Sequence, residues 1–139
     1  MTEPRRLSAR LSVSAQVEPR ELSTLADAGF RSIVCNRPDG EDPGQSAWAE
    51  VAASAAAVGM QARHIPVTPG AIRDDDVARF SAALDELPGP VLAYCRTGGR
   101  AASLWALTKA GTLTPDEIIA TAADAGCDLS QMRDRLTRV

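Results

Sequence analysis

The amino-acid sequence predicts an α/β fold: a mostly parallel central sheet of about four strands, flanked by helices. The main evidence is that short apolar, β-branched segments alternate along the chain with helical patterns, with turn residues between them. The chain has 139 residues, of which 45% are hydrophobic and 24% are charged. This length and balance suit one buried core, so we expect a single domain over residues 1–139.

Two strands and two helices are predicted before residue 60. Leu11–Gln16 alternates like a short strand, and the segment 18–29 is a helix with Gly29 as its C-cap. Phe30–Asn36 is apolar and β-branched, and the turn residues RPDGEDPG end it. The alanine-rich segment Gln45–Val58 is predicted as the second helix.

The second half of the chain continues the alternation. Met60–Val67 is a predicted strand, and Asp74–Leu87 is a predicted amphipathic helix. Val91–Cys95 is short, apolar and bounded by turns, which is typical of a buried central strand. A helix over Gly99–Lys109 follows it. Two further helices, 114–126 and Asp128–Arg138, come after a Thr-Pro cap signal.

Composition argues against several classes of function. A net charge of −3 is unsuited to nucleic-acid binding, and no apolar stretch reaches the roughly 20 residues of a membrane span. The N-terminus lacks the apolar segment of a signal peptide. Three widely spaced cysteines and one histidine suit neither a disulfide framework nor a metal site. We therefore expect a cytoplasmic protein with reduced thiols, without a metal, a cofactor or a nucleic-acid or membrane partner.

The segment Cys-Arg-Thr-Gly-Gly-Arg, residues 95–100, joins the predicted central strand to a helix. Ligands of parallel sheets bind beyond the carboxyl ends of the strands, where Cys95 lies. The glycines allow the backbone to turn its N–H groups inward, and the helix N-terminus adds positive potential. We interpret Cys95 as a nucleophile and Arg100 as an anion clamp, and not as parts of a packed core. The residues between them, Arg96, Thr97, Gly98 and Gly99, are predicted to bind the anion.

Four separated motifs, LSVSAQ, GFRSIVCNRPDGE, HIPVTPG and VLAYCRTGGRA, resemble the phosphatase-like domain family of the beta-lactamase-hydrolase-like proteins. The resemblance covers about residues 7–110. It implies a fold similar to dual-specificity phosphatases, with the nucleophile at Cys95 and the anion-clamping arginine at Arg100. It also implies a role in bacterial sulfide handling, with a persulfide dioxygenase or a sulfide:quinone oxidoreductase as partner.

The details of the motif favour sulfur transfer over phosphate hydrolysis. Four residues separate Cys95 from Arg100, as in the rhodanese loop, whereas tyrosine-type phosphatases have five. Ala101 stands where dual-specificity phosphatases carry a serine or threonine that helps the thiolate leave. Their general-acid aspartate has no counterpart directly after HIPV, where Thr68-Pro69-Gly70 stands. Asp74–Asp76 match the first turn of a helix, and the alternative that one of them swings in as the acid stays open.

We therefore predict that Cys95 takes sulfane sulfur from a small anionic donor, either thiosulfate or a low-molecular-weight persulfide. The resulting Cys95 persulfide then passes the sulfur to a thiol acceptor. Two alternatives remain open: phosphatase-type hydrolysis through a phosphocysteine at Cys95, and a non-catalytic anion-binding or redox module.

Cys35, Arg37 and Asp39 lie where the second predicted strand ends, beside the expected crevice. Cys35 is either a resolving thiol or, as we prefer, a small buried hydrophobic residue. Arg37 and Asp39 either shape the pocket or stabilise the turn.

Overall fold

A computed structural model describes residues 3–137 of the chain, in which five strands form one sheet. The strands are β1 (Arg5–Arg6), β2 (Leu11–Ser14), β3 (Ser32–Cys35), β4 (Gln61–His64) and β5 (Val91–Tyr94). The helices are α1 (Leu22–Asp27), α2 (Trp48–Ala57), α3 (Asp74–Glu86), α4 (Gly99–Lys109), α5 (Pro115–Asp124) and α6 (Arg133–Thr137). Two single 3₁₀ turns, Pro19–Glu21 and Ser130–Met132, precede α1 and α6.

The sheet order is β1-β2-β5-β3-β4, which places β5 at the centre. The pairs β2–β5, β5–β3 and β3–β4 are parallel, so the predicted α/β class and mostly parallel sheet are confirmed. The prediction of about four strands missed β1, which pairs antiparallel with β2. β1 contains only Arg5 and Arg6, and two charged residues carry no strand signal in the sequence.

Two apolar clusters, one on each face of the sheet, form the core. Val34 and Ala93 contribute to the cluster that also contains residues of α3, α4 and α5. Ile33 and Leu92 contribute to the opposite cluster, which contains residues of α1 and α2. Because β5 is buried on both faces, its sequence is a continuous apolar run without alternation.

Helix α4 has the predicted bounds, Gly99–Lys109, whereas most other elements are shorter than predicted. The predicted strand Met60–Val67 illustrates why: only Gln61–His64 is a regular strand. The amides of Ile65 and Val67 nevertheless bond to the carbonyls of Cys35 and Asn36, so the pairing continues into the loop. The predicted end of the last helix, Arg138, lies outside the described residues. Within residues 3–137, no helix combines the length and apolarity that crossing a membrane requires.

Candidate active site

The loop after β5 curls around the Cys95 sulfur. The amide of Gly98 donates to Cys95 Sγ at 3.1 Å, which turns at least one backbone N–H towards the thiol. This geometry requires Gly98 to adopt φ +98°, a left-handed conformation that glycine accepts at little cost. The loop is also fixed to the end of β2, since the amide of Cys95 donates to the Ser14 carbonyl. The sequence motif thus folds locally as a tight cup that opens α4.

The Cys95 residue is only 1% exposed, so the thiol lies at the base of the cup. It belongs to neither apolar cluster of the core. Solvent reaches the loop on the side of Gly99 and Arg100, which line a cavity there. Cys95 itself is not among the residues that line this cavity, so an anion in the cavity would contact the first turn of α4.

Arg100 lies in the first turn of α4 and is fixed by a carboxylate from another loop. Its Nη1 and Nη2 donate to Oε2 and Oε1 of Glu41 at 2.7 and 2.9 Å, and Nη1 also donates to the Val67 carbonyl at 3.0 Å. Burial lowers the pKa of Arg100, but its hydrogen bonds to Glu41 and Cys95 and its electrostatic interactions with the same two residues raise it above the ordinary value. The guanidinium is therefore fully charged and oriented beside the thiol.

Glu41 is held in turn by Arg37, whose side chain is only 4% exposed. Arg37 donates to Glu41 Oε1 at 2.8 Å, to Asp42 Oδ2 at 2.6 Å and to Gln16 Oε1 at 2.9 Å. The hydrogen bond from Arg100, and then that from Arg37, lower the pKa of Glu41 to about 2 against the effect of burial. Glu41 is consequently an anion at neutral pH and acts as an anchor for two arginines.

The predicted pocket residues around the end of β3 have structural roles instead. Asp39 accepts a hydrogen bond from the Trp48 amide at 2.9 Å and so caps the start of α2. Cys35 packs in the apolar cluster beside α1 and α2, and its thiol donates to the Arg37 carbonyl at 3.3 Å. Arg37 belongs to the site, but as support for Glu41. Cys35 and Asp39 are not among the residues that line the cavity beside Arg100, and their place in a pocket stays a prediction. The preferred interpretation of Cys35 as a buried residue agrees with its burial.

The loop cation Arg96 pairs with Asp42 at 3.2 Å and is largely exposed. Thr97 contributes its carbonyl, which accepts a hydrogen bond from Arg5 Nη2 at 2.7 Å. Sequence reasoning did not identify Arg5 or Glu41 as site residues. Neither has a local signal, because their partners lie 92 and 59 positions away along the chain.

The predicted first turn of α3 contains the three aspartates 74–76. Asp76 accepts from the Arg73 amide at 2.9 Å, and Asp74 lies 3.5 Å from Arg135. None of the three is shown in contact with the loop of Cys95, and residues 68–72 contain no carboxyl group. Among residues 3–137 there is also no group of three or more His, Cys, Asp or Glu side chains that could hold a metal ion.

A cavity of about 660 Å³ adjoins the loop on the side of α4 and the C-terminal segment. Its lining includes Arg5, Thr97, Gly99, Arg100, Asp128 and Arg135. Three arginines and one aspartate make this wall polar, while Ile72, Leu129 and Met132 supply apolar surface. The arrangement can accept a small anionic molecule with an organic part.

Comparison with known proteins assigns this architecture to a family. A family model described as "Beta-lactamase hydrolase-like protein, phosphatase-like domain" matches residues 3–112. A beta-lactamase hydrolase-like protein of Agrobacterium fabrum is 37% identical over 105 residues, which are 76% of this chain and 24% of the relative. The chain therefore spans about a quarter of the length of that relative.

Solved structures agree with the match. A candidate phosphatase from Neisseria meningitidis is 36% identical, with a TM-score of 0.88, over 96% of this chain and 95% of that chain. Tk-PTP in its active form is 17% identical, with a TM-score of 0.69, over 96% of this chain and 92% of that chain. At this low identity, the second comparison establishes the shared fold alone.

Proposed function

From the premise that this chain belongs to the phosphatase-like domain family of beta-lactamase hydrolase-like proteins, we propose that it is a cysteine-dependent phosphatase. Cys95 is the nucleophile, and Arg100 binds the phosphoryl group that is transferred. One observation carries the proposal: the Arg100 guanidinium is held by both oxygens of Glu41 beside a thiol that already accepts a loop N–H. The likeness to the Neisseria meningitidis candidate phosphatase, at 36% identity, supports the same reaction class.

The loop supplies the charge that a phosphoryl group needs. Backbone N–H groups in the first turn of a helix have no intrahelical partner, and those of Gly99, Arg100 and Ala101 occupy that turn in α4. The Gly99 amide makes a long contact of 3.4 Å with the Thr97 hydroxyl, which an incoming anion would replace. The guanidinium adds a planar pair of donors that suits two phosphate oxygens. Because these donors are fixed before the substrate arrives, they stabilise developing negative charge without reorganisation.

The reaction proceeds in two displacements. The Cys95 thiolate attacks phosphorus, an S–P bond forms, and the P–O bond to the leaving group breaks with its electron pair on oxygen. Water then attacks the phosphocysteine, the S–P bond breaks, and orthophosphate and the thiolate are released. The departing oxygen takes its proton from solvent, and water that attacks the phosphocysteine gives up one.

The test is the hydrolysis of 4-nitrophenyl phosphate, whose leaving group is a stable phenolate. We expect the wild-type chain to release orthophosphate and the Cys95→Ser variant to release none above the uncatalysed rate. An acid-quenched sample of the wild type should contain a phosphorylated species whose mass increase maps to Cys95. Turnover that is unchanged in Cys95→Ser would contradict the proposal.

Sulfur transfer is the second candidate, and one feature of the site favours it. Ala101 is fully buried and places a methyl group where a hydroxyl would help the thiolate leave a phosphocysteine. A sulfur donor needs no such help. The Cys95 thiolate attacks the outer sulfur of thiosulfate, the S–S bond breaks, and sulfite departs with the electron pair. A thiol acceptor then attacks the outer sulfur of the persulfide and regenerates the Cys95 thiolate.

Intact-mass measurement separates the two candidates. After incubation with thiosulfate or glutathione persulfide, sulfur transfer predicts a gain of one sulfur atom that is absent from Cys95→Ser and is removed by a thiol. Phosphate release without a sulfur adduct would leave hydrolysis alone.

A further inference from the structure

We propose that Arg5 binds a second anionic group of the substrate, so that the chain acts on small molecules with adjacent anionic groups, of which a diphosphate is the simplest. The inference rests on the proposed phosphatase activity of Cys95 and assigns a substrate class to it. It follows from how Arg5 is held, from its lack of a carboxylate partner, and from the kind of leaving group that the site can release.

The Arg5 guanidinium is built into the loop of Cys95. Nη2 donates to the Thr97 carbonyl at 2.7 Å, although Arg5 lies at the other end of the chain, in β1. Two glycines make room for it: a Cβ at Gly98 would collide with Nη2, and a Cβ at Gly126 would lie 2.9 Å from Nη1. Gly98 also donates to the Cys95 sulfur, so the guanidinium lies against the segment that surrounds the thiol.

Arg5 differs from the other cations of the cavity because its charge is not neutralised. Arg100 is paired with Glu41 at 2.7 Å, and Arg135 lies 3.5 Å from Asp74. Within residues 3–137, no ion pair joins Arg5 to a carboxylate. The acidic residue of the cavity lining, Asp128, accepts hydrogen bonds from the amide and hydroxyl of Ser130. A guanidinium that has donors to spare and lines a cavity is suited to bind an anion.

The carboxyl groups around the loop identify the leaving group. Glu41, with a pKa of about 2, is ionised and holds Arg100, and Asp76 caps α3. The pKa of Asp128, the carboxyl group in the cavity lining, is lowered by its hydrogen bonds from Ser130. Since none of these carboxyl groups within residues 3–137 is placed to protonate an alkoxide, the leaving group must depart as a stable anion. The orthophosphate released from a diphosphate meets this requirement, and Arg5 offers it a positive site.

The step is balanced without any further reactant. The Cys95 sulfur forms a bond to the terminal phosphorus, the bridging P–O bond breaks, and its electron pair stays on the departing orthophosphate. Water then cleaves the S–P bond, and the overall reaction converts one diphosphate and one water into two orthophosphates. The cavity of about 660 Å³ is within the size range of small-molecule sites, so an organic diphosphate also fits.

The chain offers a matched pair of variants for the test. Arg5 and Arg6 are neighbours in β1, but Arg6 is exposed and does not line the cavity. We compare Arg5→Gln and Arg6→Gln with 4-nitrophenyl phosphate, inorganic diphosphate and adenosine 5′-diphosphate as substrates. Arg5→Gln is expected to lower kcat/KM for both diphosphates by roughly tenfold to a hundredfold more than for 4-nitrophenyl phosphate, the effect of one charged hydrogen bond. The smaller loss on 4-nitrophenyl phosphate measures what the contact between Arg5 and the Thr97 carbonyl contributes to the loop. Arg6→Gln is expected to leave kcat/KM unchanged for all three substrates.

Equal losses on all three substrates in Arg5→Gln, or no loss on either diphosphate, would overturn the proposal. If only one diphosphate responds, the response identifies inorganic or organic diphosphate as the ligand. Arg5→Lys, which keeps the charge, should recover part of the lost rate and controls for folding.

A binding measurement separates this proposal from the phosphatase activity. In the Cys95→Ser background, changing Arg5 to glutamine should weaken the binding of inorganic diphosphate roughly tenfold or more beyond any weakening of orthophosphate binding. If no phosphate compound is hydrolysed but this difference is observed, the proposed activity fails and the Arg5 site stands. If 4-nitrophenyl phosphate is hydrolysed but the difference is absent, the Arg5 site fails alone.

Discussion

Two cysteines end neighbouring parallel strands, and their surroundings differ in an instructive way. Cys35 is the last residue of β3 and is paired in register with Tyr94, the last residue of β5, so Cys95 lies one position beyond the end of β5. Both sulfurs accept a backbone amide from the segment that follows, Cys35 from Arg37 at 3.4 Å and Cys95 from Gly98 at 3.1 Å. Both thiols thus accept a backbone amide, but only Cys95 is proposed to react.

The difference comes from register and from charge. Successive residues of a strand face opposite sides of a sheet, and Cys35 and Tyr94 both pack in the apolar cluster beside α1 and α2. Burial raises the pKa of Cys35, which leaves it as a neutral thiol. Cys95 lies one residue beyond that cluster, where the positive end of α4 and the Arg100 guanidinium meet. A cysteine at a strand end therefore becomes a candidate nucleophile only when the following loop brings cations to it.

The sharpest way to break this comparison is to remove each thiol in turn. Cys95→Ser is expected to reduce turnover of 4-nitrophenyl phosphate by about a thousandfold or more, because it removes the proposed nucleophile. Cys35→Ser is expected to retain activity within about threefold but to lower the free energy of unfolding by about 1–2 kcal/mol, because a hydroxyl replaces a thiol in an apolar cluster. Steady-state rates and urea unfolding test both. If Cys95→Ser and Cys35→Ser lose activity equally, the conclusion that only Cys95 is a nucleophile would be wrong.

Arg100→Lys keeps the positive charge beside Cys95 but loses the two planar N–H donors of the guanidinium. We expect kcat/KM to fall by about a hundredfold, since a single ammonium cannot hold both Glu41 and a phosphoryl group in the geometry of two planar donors. Arg96→Lys is the control, because Arg96 is exposed and pairs with Asp42 only at the rim. If the two substitutions have similar effects, Arg100 contributes only general positive potential.

Gly98→Ala tests the shape of the loop, and Gly40→Ala in the turn after β3 is its match. Both glycines have positive φ, so each alanine is expected to cost about 1–2 kcal/mol of stability. Only the Cβ at position 98 would also meet the Arg5 side chain and the Ser14 carbonyl, whereas that at position 40 meets nothing within 4 Å. We expect an additional loss of activity of about tenfold or more in Gly98→Ala alone, measured after thermal unfolding has established that both variants fold.

Glu41→Gln has the smallest expected effect on the rate and the clearest dependence on pH. The pKa of Glu41 is lowered from 4.5 to about 2 in the folded chain, so its ion pairs stabilise the fold above pH 4.5. That contribution, of the order of 2 kcal/mol, is lost as the pH falls towards 2. Unfolding free energies at pH 7 and pH 3 should therefore differ more for the wild type than for Glu41→Gln. A pH dependence that is unchanged in the variant would contradict this role.

The elements with strong local signals could be predicted from sequence. Helix α4 begins at Gly99 and ends at Lys109 as predicted, because a glycine-rich turn and an apolar pattern define it, and the central strand β5 follows from its apolar run. The family that the motifs predicted is confirmed by the family-model match, and the mostly parallel sheet is confirmed by the structure. The catalytic roles of Cys95 and Arg100 stay predictions, as does the sulfur transfer that the loop length suggested.

What the sequence did not reveal depends on contacts between distant positions. β1 exists because Arg5 and Arg6 pair with Val13 and Ser12, and nothing in two arginines indicates a strand. The side of the sheet that Cys35 faces depends on its register with β5, which the strand pattern alone leaves open. Glu41 lies in a segment with the composition of a turn, so its role as an anchor is visible only once the loops after β3 and β5 are adjacent.

The ion pair between Arg100 and Glu41 also limits how this sequence can drift over generations. Loss of the carboxylate leaves two largely buried guanidinium groups, of Arg37 and Arg100, without a shared counter-ion, and loss of either arginine upsets the same balance. Mutations at position 41 should therefore persist in related sequences mainly when position 37 or 100 changes as well. We expect substitutions in the loops after β3 and β5 to be correlated, although the two loops are far apart in the sequence.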